Sequence, residues 1–205
     1  MIKNPYNHFE FRGEITKNPV HVGHNYYETE IVIPRRSTRV DTIPLRFNDT
    51  KQTPVAGIKL GAYVNVQGQI SAKTSVRRTD KKSYSVPKFT GFAKSFNFNR
   101  DIPLKDWHDN RIELDGYVVA PIVLRNVPNI YPQYPDKIAT NFTLAVDETD
   151  VETDYISIEA WDEFAKQAEK FAAGARMRLV GRAHTHKYKK FDATTVRVAI
   201  QGIQR

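Results

Sequence analysis

Residues 41–68 read DTIPLRFNDTKQTPVAGIKLGAYVNVQG, and residues 154–181 read DYISIEAWDEFAKQAEKFAAGARMRLVG. At a constant offset of 113 (154 minus 41), Asp41 meets Asp154, Ile43 meets Ile156, Leu45 meets Ile158, Asp49 meets Asp162, Gly61 meets Gly174 and Gly68 meets Gly181. A register held over that length is the mark of an internal repeat. Upstream the correspondence resumes after a change of loop length. Asn7-His-Phe-Glu-Phe-Arg-Gly13 matches Asn110-Arg-Ile-Glu-Leu-Asp-Gly116, Pro19 and Pro121 follow, and Thr29-Glu-Ile-Val-Ile33 matches Thr140-Asn-Phe-Thr-Leu144. The 205-residue chain therefore divides into two copies of one unit, 1–104 and 105–205, with the boundary near residues 100–109.

Each unit reads as strand, strand, strand, short helix, strand, strand. Period-two alternation marks the strands and puts Ile43, Leu45 and Phe47 on one face. The helix is clearest in the second copy, where Phe164, Ala165, Ala168, Phe171 and Ala172 recur at helical spacing, Asp162 is placed to cap the start, and Gly174 ends the element. In the first copy Pro54 and Gly57 interrupt the same stretch, which predicts a short or irregular turn there. Five strands with a helix between the third and fourth is the order of an OB-fold, a small Greek-key barrel. The predicted class is all-β with short helices, two OB-fold barrels in tandem. Glycines near the end of strand one and early in strand four fit the sharp bends of such a barrel.

Composition narrows the function. Lys and Arg number 31 against 23 Asp and Glu, a formal charge of +8, and the excess is uneven. Residues 1–104 hold 17 basic against 8 acidic side chains, and residues 105–205 hold 14 against 15. A basic first half favours a polyanionic partner, because each cation near a phosphate releases condensed counterions. There is no cysteine, hence no disulfide, thiolate metal site or cysteine nucleophile. No run approaches the roughly 18 apolar residues of a membrane span, and the first residues lack a leader pattern, so no membrane association and a cytoplasmic location are expected.

From Trp161-Asp-Glu-Phe-Ala-Lys-Gln-Ala-Glu-Lys-Phe-Ala-Ala-Gly174 into Ala-Arg-Met-Arg-Leu-Val-Gly-Arg-Ala-His-Thr-His-Lys-Tyr188, the second copy resembles the bacterial single-stranded DNA-binding proteins. The opening Asn110–Gly116 and the strand around Phe142 agree with that pattern. The likeness covers most of 110–203 and, through the repeat, more faintly 7–99. It implies a non-enzymatic protein that binds single-stranded DNA with little sequence preference, stacking bases on aromatic rings while cations hold phosphates, which is the general physics of such binding. By position it implies Tyr155, Trp161 and Tyr188 as stacking residues. The first-copy counterparts are Thr42, Asn48 and Ser75, with Phe47 and Tyr63 close by. Such relatives end in an acidic recruiting tail. The sequence ends Ile200-Gln-Gly-Ile-Gln-Arg205, so recruitment through one is not expected. Two barrels per chain imply a homodimer presenting four, and a short relative of this kind fits a phage, plasmid or conjugative element.

The residues themselves add candidates. Lys187-Tyr-Lys-Lys-Phe191 interleaves rings and ammonium groups, so Lys187, Lys189 and Lys190 join Tyr188, with Arg176, Arg178 and Arg182 along the same strand. The equivalent first-copy loop holds Arg77, Arg78, Lys81, Lys82 and Tyr84, and the loop between strands two and three holds Arg35, Arg36 and Arg39. Its second-copy counterpart, Asp147-Glu-Thr-Asp-Val-Glu-Thr-Asp154, would repel a nucleic-acid backbone. Tyr131 and Tyr134 lie in a proline-rich loop suited to a clamp or a subunit contact. His184 and His186 share a strand face, but two ligands do not make a metal site, so neither metal nor cofactor is expected. No nucleophile elbow, phosphate-cradling loop or carboxylate pair in context appears, which leaves catalysis without a residue, and Asp49 and Asp162 are read as caps. The alternatives are an OB-fold assembly protein holding replication or conjugation partners, and an RNA-binding OB-fold protein. Protein partners are not legible.

Overall fold

Apolar residues at every second position dictate the strands, and the pleat turns each set inward. Phe9, Phe11 and Ile15 on the first strand are fully buried, as are Ile43, Leu45 and Phe47 on the third and Ile156, Ile158 and Ala160 on its repeat. Each large side chain buried this way contributes roughly 1.5–3 kcal/mol. The computed structural model describes residues 7–35, 37, 39–79, 82–98, 110–147, 153–188 and 193–204, and for 73–79, 82–87, 187, 188, 193 and 194 the backbone alone.

The first unit comprises β1 (His8–Gly23), β2 (Tyr26–Pro34), β3 (Val40–Asn48), a 3-10 turn (Val55–Gly57), β4 (Tyr63–Thr79) and β5 (Lys82–Asn97). The second comprises β6 (Asn110–Val118), β7 (Arg125–Val127), β8 (Lys137–Asp147), β9 (Thr153–Trp161), α1 (Asp162–Glu169), β10 (Arg176–Tyr188) and β11 (Ala193–Gln204). Strands β1-β2-β3-β5-β4 close into one barrel and β6-β8-β9-β11-β10 into another. In both, the ring is completed by a short parallel pairing, Leu45 with Gly91 in the first and Ile158 with Val198 in the second. These are the two OB-fold barrels the repeat predicts. The short strand β7, which pairs with β8 from within the proline-rich loop, is additional.

Repeated residues hold repeated positions. The Asn7 amide donates to Ile70 O at 2.9 Å while its Oδ1 accepts from Ile70 N at 2.8 Å; Asn110 does the same to Ala183 at 2.9 and 2.7 Å. Gly68 and Gly181 sit at register shifts in β4–β5 and β10–β11. A Cβ on Gly68 would lie 2.0 Å from Phe92 O, and one on Gly181 2.6 Å from Ala199 O, so the strands meet too closely there for any side chain.

The barrels are joined through β1 and β6, where His8 pairs with Glu113, Phe9 with Ile112 and Glu10 with Arg111. Phe9 thus faces its own repeat counterpart, as a local two-fold requires. The same symmetry recurs in the hairpins, each of which lies against the other barrel. Asp41 Oδ1 accepts from Thr185 N at 2.8 Å, and Asp154 Oδ1 accepts from Ala72 N at 2.8 Å.

At the helix starts the two aspartates differ. Asp49 Oδ1 accepts from Val55 N at 3.1 Å and caps the 3-10 turn as expected. Trp161, not Asp162, holds the N-cap position of α1, because Asp162 lies inside the first turn with φ 49° and its Oδ1 accepts from Ile138 N at 3.1 Å. That carboxylate therefore ties the start of β8 to the end of β9.

Candidate nucleic-acid interface

Alternation that buries Ile156, Ile158 and Ala160 turns Tyr155, Ser157, Glu159 and Trp161 to the outer face of β9. Tyr155 is 49% exposed. Trp161 is partly exposed at the far end of the strand. The six residue steps from one to the other span about 20 Å, so the two rings are separate platforms rather than one stack. Asn141 on β8 and Arg197 on β11 share this face, and Arg197 donates to Asn141 Oδ1 at 3.2 Å.

Between the rings lies a compact polar group. Glu159 is 1% exposed, and the Trp161 indole N–H donates to its Oε1. His184 Nδ1 stands 3.5 Å from Oε1, while His186 Nε2 and Arg197 stand 2.5 and 3.7 Å from Oε2. Burial by itself raises the Glu159 pKa, but His184, His186 and the Trp161 N–H favour the carboxylate strongly enough to hold it well below the usual range. The negative charge is thereby masked within a face that would otherwise repel phosphate. Sequence reasoning missed Glu159 and Arg197, since neither belongs to a motif and only the barrel brings β9, β10 and β11 together.

The remaining candidates do not all converge. Arg182 is partly exposed on the outer face of β10, two residues from His184. Arg176 and Arg178 lie at the other end of that strand, held by Asp115, with Arg176 bidentate at 2.8 and 2.9 Å. They help line a cleft of about 600 Å³ with Lys170 and Phe171 rather than the outer face of β9. Arg35 is drawn into the seam between barrels: its side chain is 10% exposed, it is paired with buried Asp41, and it reaches Thr185 O at 3.4 Å. Arg39 is exposed. Arg36, Lys81, Lys189 and Lys190 lie outside the described residues, and for Arg77, Arg78, Lys82, Tyr84, Lys187 and Tyr188 only the strand backbone is described.

In the first barrel the rings are rearranged. Phe47 is fully buried and serves the core. On the outer side Tyr26 is 38% exposed and meets Phe92 edge-on at 6.1 Å, beside Arg46 and Lys88, which both pair with Glu28. This ring pair was not singled out from the sequence because Phe92 lies on β5 and aligns with no stacking residue of the second copy. Elsewhere Tyr131 and Tyr134 sit 6.5 Å apart, 61% and 58% exposed.

A closed five-stranded barrel with its helix between the third and fourth long strands, and rings on its outer sheet, defines the OB class, whose second- and third-strand surface accepts oligonucleotides or oligosaccharides. Residues 109–204 match the profile of the single-strand binding protein family. In overall fold the chain resembles the crystal structure of the wild-type single-stranded DNA binding protein from Thermus aquaticus, with a TM-score of 0.71 and 17% identity over 97% of this chain and 92% of that one. A deletion mutant of the Thermus protein superposes with a TM-score of 0.66 and 19% identity, over 97% and 93% of the two chains. No curated protein resembles the chain closely enough in sequence to count as a match. No helix among the described residues is long and apolar enough to cross a membrane.

Proposed function

We propose that the chain binds single-stranded DNA with little sequence preference and without catalysis, along the outer face of β8 and β9 in the second barrel. The observation that carries this reading is the half-exposed Tyr155 sharing one strand face with Trp161 in the barrel that matches the single-strand binding family. Bases stack on the two rings, each worth about 1–3 kcal/mol, and backbone phosphates meet the cations around them. Arg182 and the β10–β11 hairpin residues Lys187, Tyr188, Lys189 and Lys190 extend the path. The first barrel, taken as residues 1–104, supplies most of the positive field through Arg36, Arg39, Arg77, Arg78, Lys81 and Lys82, with Tyr84 and the Tyr26–Phe92 pair as further rings. Arg35 is left out, since Asp41 engages it.

A homodimer presenting four barrels is the assembly we infer, supported by the two-barrel chain and by exposed Ile130, Tyr131 and Tyr134 on one loop. Its setting is a process that bares single strands, such as replication, recombination or the transfer of a mobile element. A titration of labelled oligo-dT, the matched RNA and a DNA duplex at two salt concentrations, with a solution mass measurement alongside, tests the reading. Tightest binding to single-stranded DNA, weakening with salt, is expected. Equal affinity for duplex overturns it, preference for RNA makes the chain an RNA-binding barrel pair, and no binding leaves an assembly module.

A further inference from the structure

His184 and His186 project from the same side of β10 with ring centroids 4.2 Å apart, and Glu159 comes to them from β9. The strand between is β11, where small Ala199 pairs with both Glu159 and Arg182 and leaves room for the carboxylate to lie across it. The ligand atoms of the three side chains all lie within 4.8 Å of one another, the one such group among the described residues. Glu159 Oε2, His184 Nδ1 and His186 Nε2 are each sealed from solvent, yet none has a hydrogen bond of proper geometry. Buried polar atoms without well-formed hydrogen bonds are costly, and here three lie together, meeting one another only at poor hydrogen-bond geometry. The arrangement suits one shared partner that accepts lone pairs.

We propose that Glu159, His184 and His186 bind a divalent transition-metal ion. Two imidazoles and one carboxylate suit Zn²⁺, Co²⁺, Ni²⁺ or Cu²⁺, whereas Mg²⁺ and Ca²⁺ prefer sites made of oxygen alone. Three protein ligands leave a coordination position open. The Trp161 N–H, already on Oε1, orients the carboxylate from behind, as outer hydrogen bonds do around bound metals. Arg197 opposes the added charge from 3.7 Å, and the same Nη1 also donates to Asn141 Oδ1 at 3.2 Å.

The test uses the full chain free of DNA, so its outcome is separate from that of the nucleic-acid reading. In a Trp107→Phe background, which leaves Trp161 as the emitter, Co²⁺ is titrated while visible absorption and fluorescence are recorded, and Zn²⁺ is then added in competition. One Co²⁺ per chain, with ligand-field bands, quenched Trp161 emission and displacement by Zn²⁺, is expected; His184→Ala and His186→Ala each weaken binding by more than about tenfold. Imidazole ¹⁵N resonances of the unaltered chain decide the matter without any variant. Zn²⁺ should shift His184 and His186 and leave His8, His21, His24 and His108 in place. Absence of saturable binding, retention of full affinity in the double histidine variant, or shifts confined to the other four histidines overturns the site.

Discussion

Asn7 and Asn110 each satisfy a backbone N–H and a C=O on a neighbouring strand with one side-chain amide, and no shorter or apolar residue does both. Asn110→Ala leaves both Ala183 groups without that partner and is expected to lower stability by about 1–3 kcal/mol, read from the urea midpoint. At the proposed binding face, Trp161→Ala and Tyr155→Ala should each weaken oligo-dT binding by about 1–3 kcal/mol in fluorescence anisotropy. Tyr155→Ala should leave the urea midpoint nearly unchanged, whereas Trp161→Ala also removes the N–H on buried Glu159 and should lower it. Glu159 carries a pH signature. Its folded-state pKa is depressed below the ordinary 4.5, so the stability it contributes is complete above that value and is lost as pH falls toward the folded pKa. Glu159→Gln should therefore flatten the acid limb of the stability curve below about pH 4.5 and leave the neutral limb's slope alone. The repeated asparagines and aspartates were legible as matches in the sequence. The backbone groups that Asn7, Asn110, Asp41 and Asp154 hold on other strands were not, since those partners lie 63 to 144 residues away.

The elements read well where period and punctuation agree. Strand alternation, the shortened turn after Pro54 and the bends at Gly68 and Gly181 all follow from local sequence. Gly68→Ala would drive a methyl into Phe92 O, and loss of soluble folded protein or a strongly lowered thermal midpoint is the expected result. Strand β7 and the turned conformation of Asp162 escaped the reading, because three residues carry no periodic signal and the positive φ of Asp162 accompanies a bond to Ile138, 24 residues away. The most consequential element feature, each β-hairpin lying against the other barrel, depends on contacts no single unit contains.

For the whole molecule the seam between barrels matters most. Asp41 gathers Arg35 and Thr185 from two units in a dry setting. Asp41→Ala strands a guanidinium that is only 10% exposed, and a loss of about 3–5 kcal/mol in denaturant unfolding is expected, far more than for removal of exposed Arg39. The charge asymmetry between halves was plain in the sequence, whereas the diversion of Arg35 into the seam was not. The proposed path of a single strand runs across the outer face of β9, and photocrosslinking an oligo-dT that carries 5-iododeoxyuridine, followed by peptide mapping, tests that placement most directly. Adducts at Tyr155 and Trp161 are predicted; adducts confined to the cleft around Arg176 and Phe171, with none on β9, would contradict it.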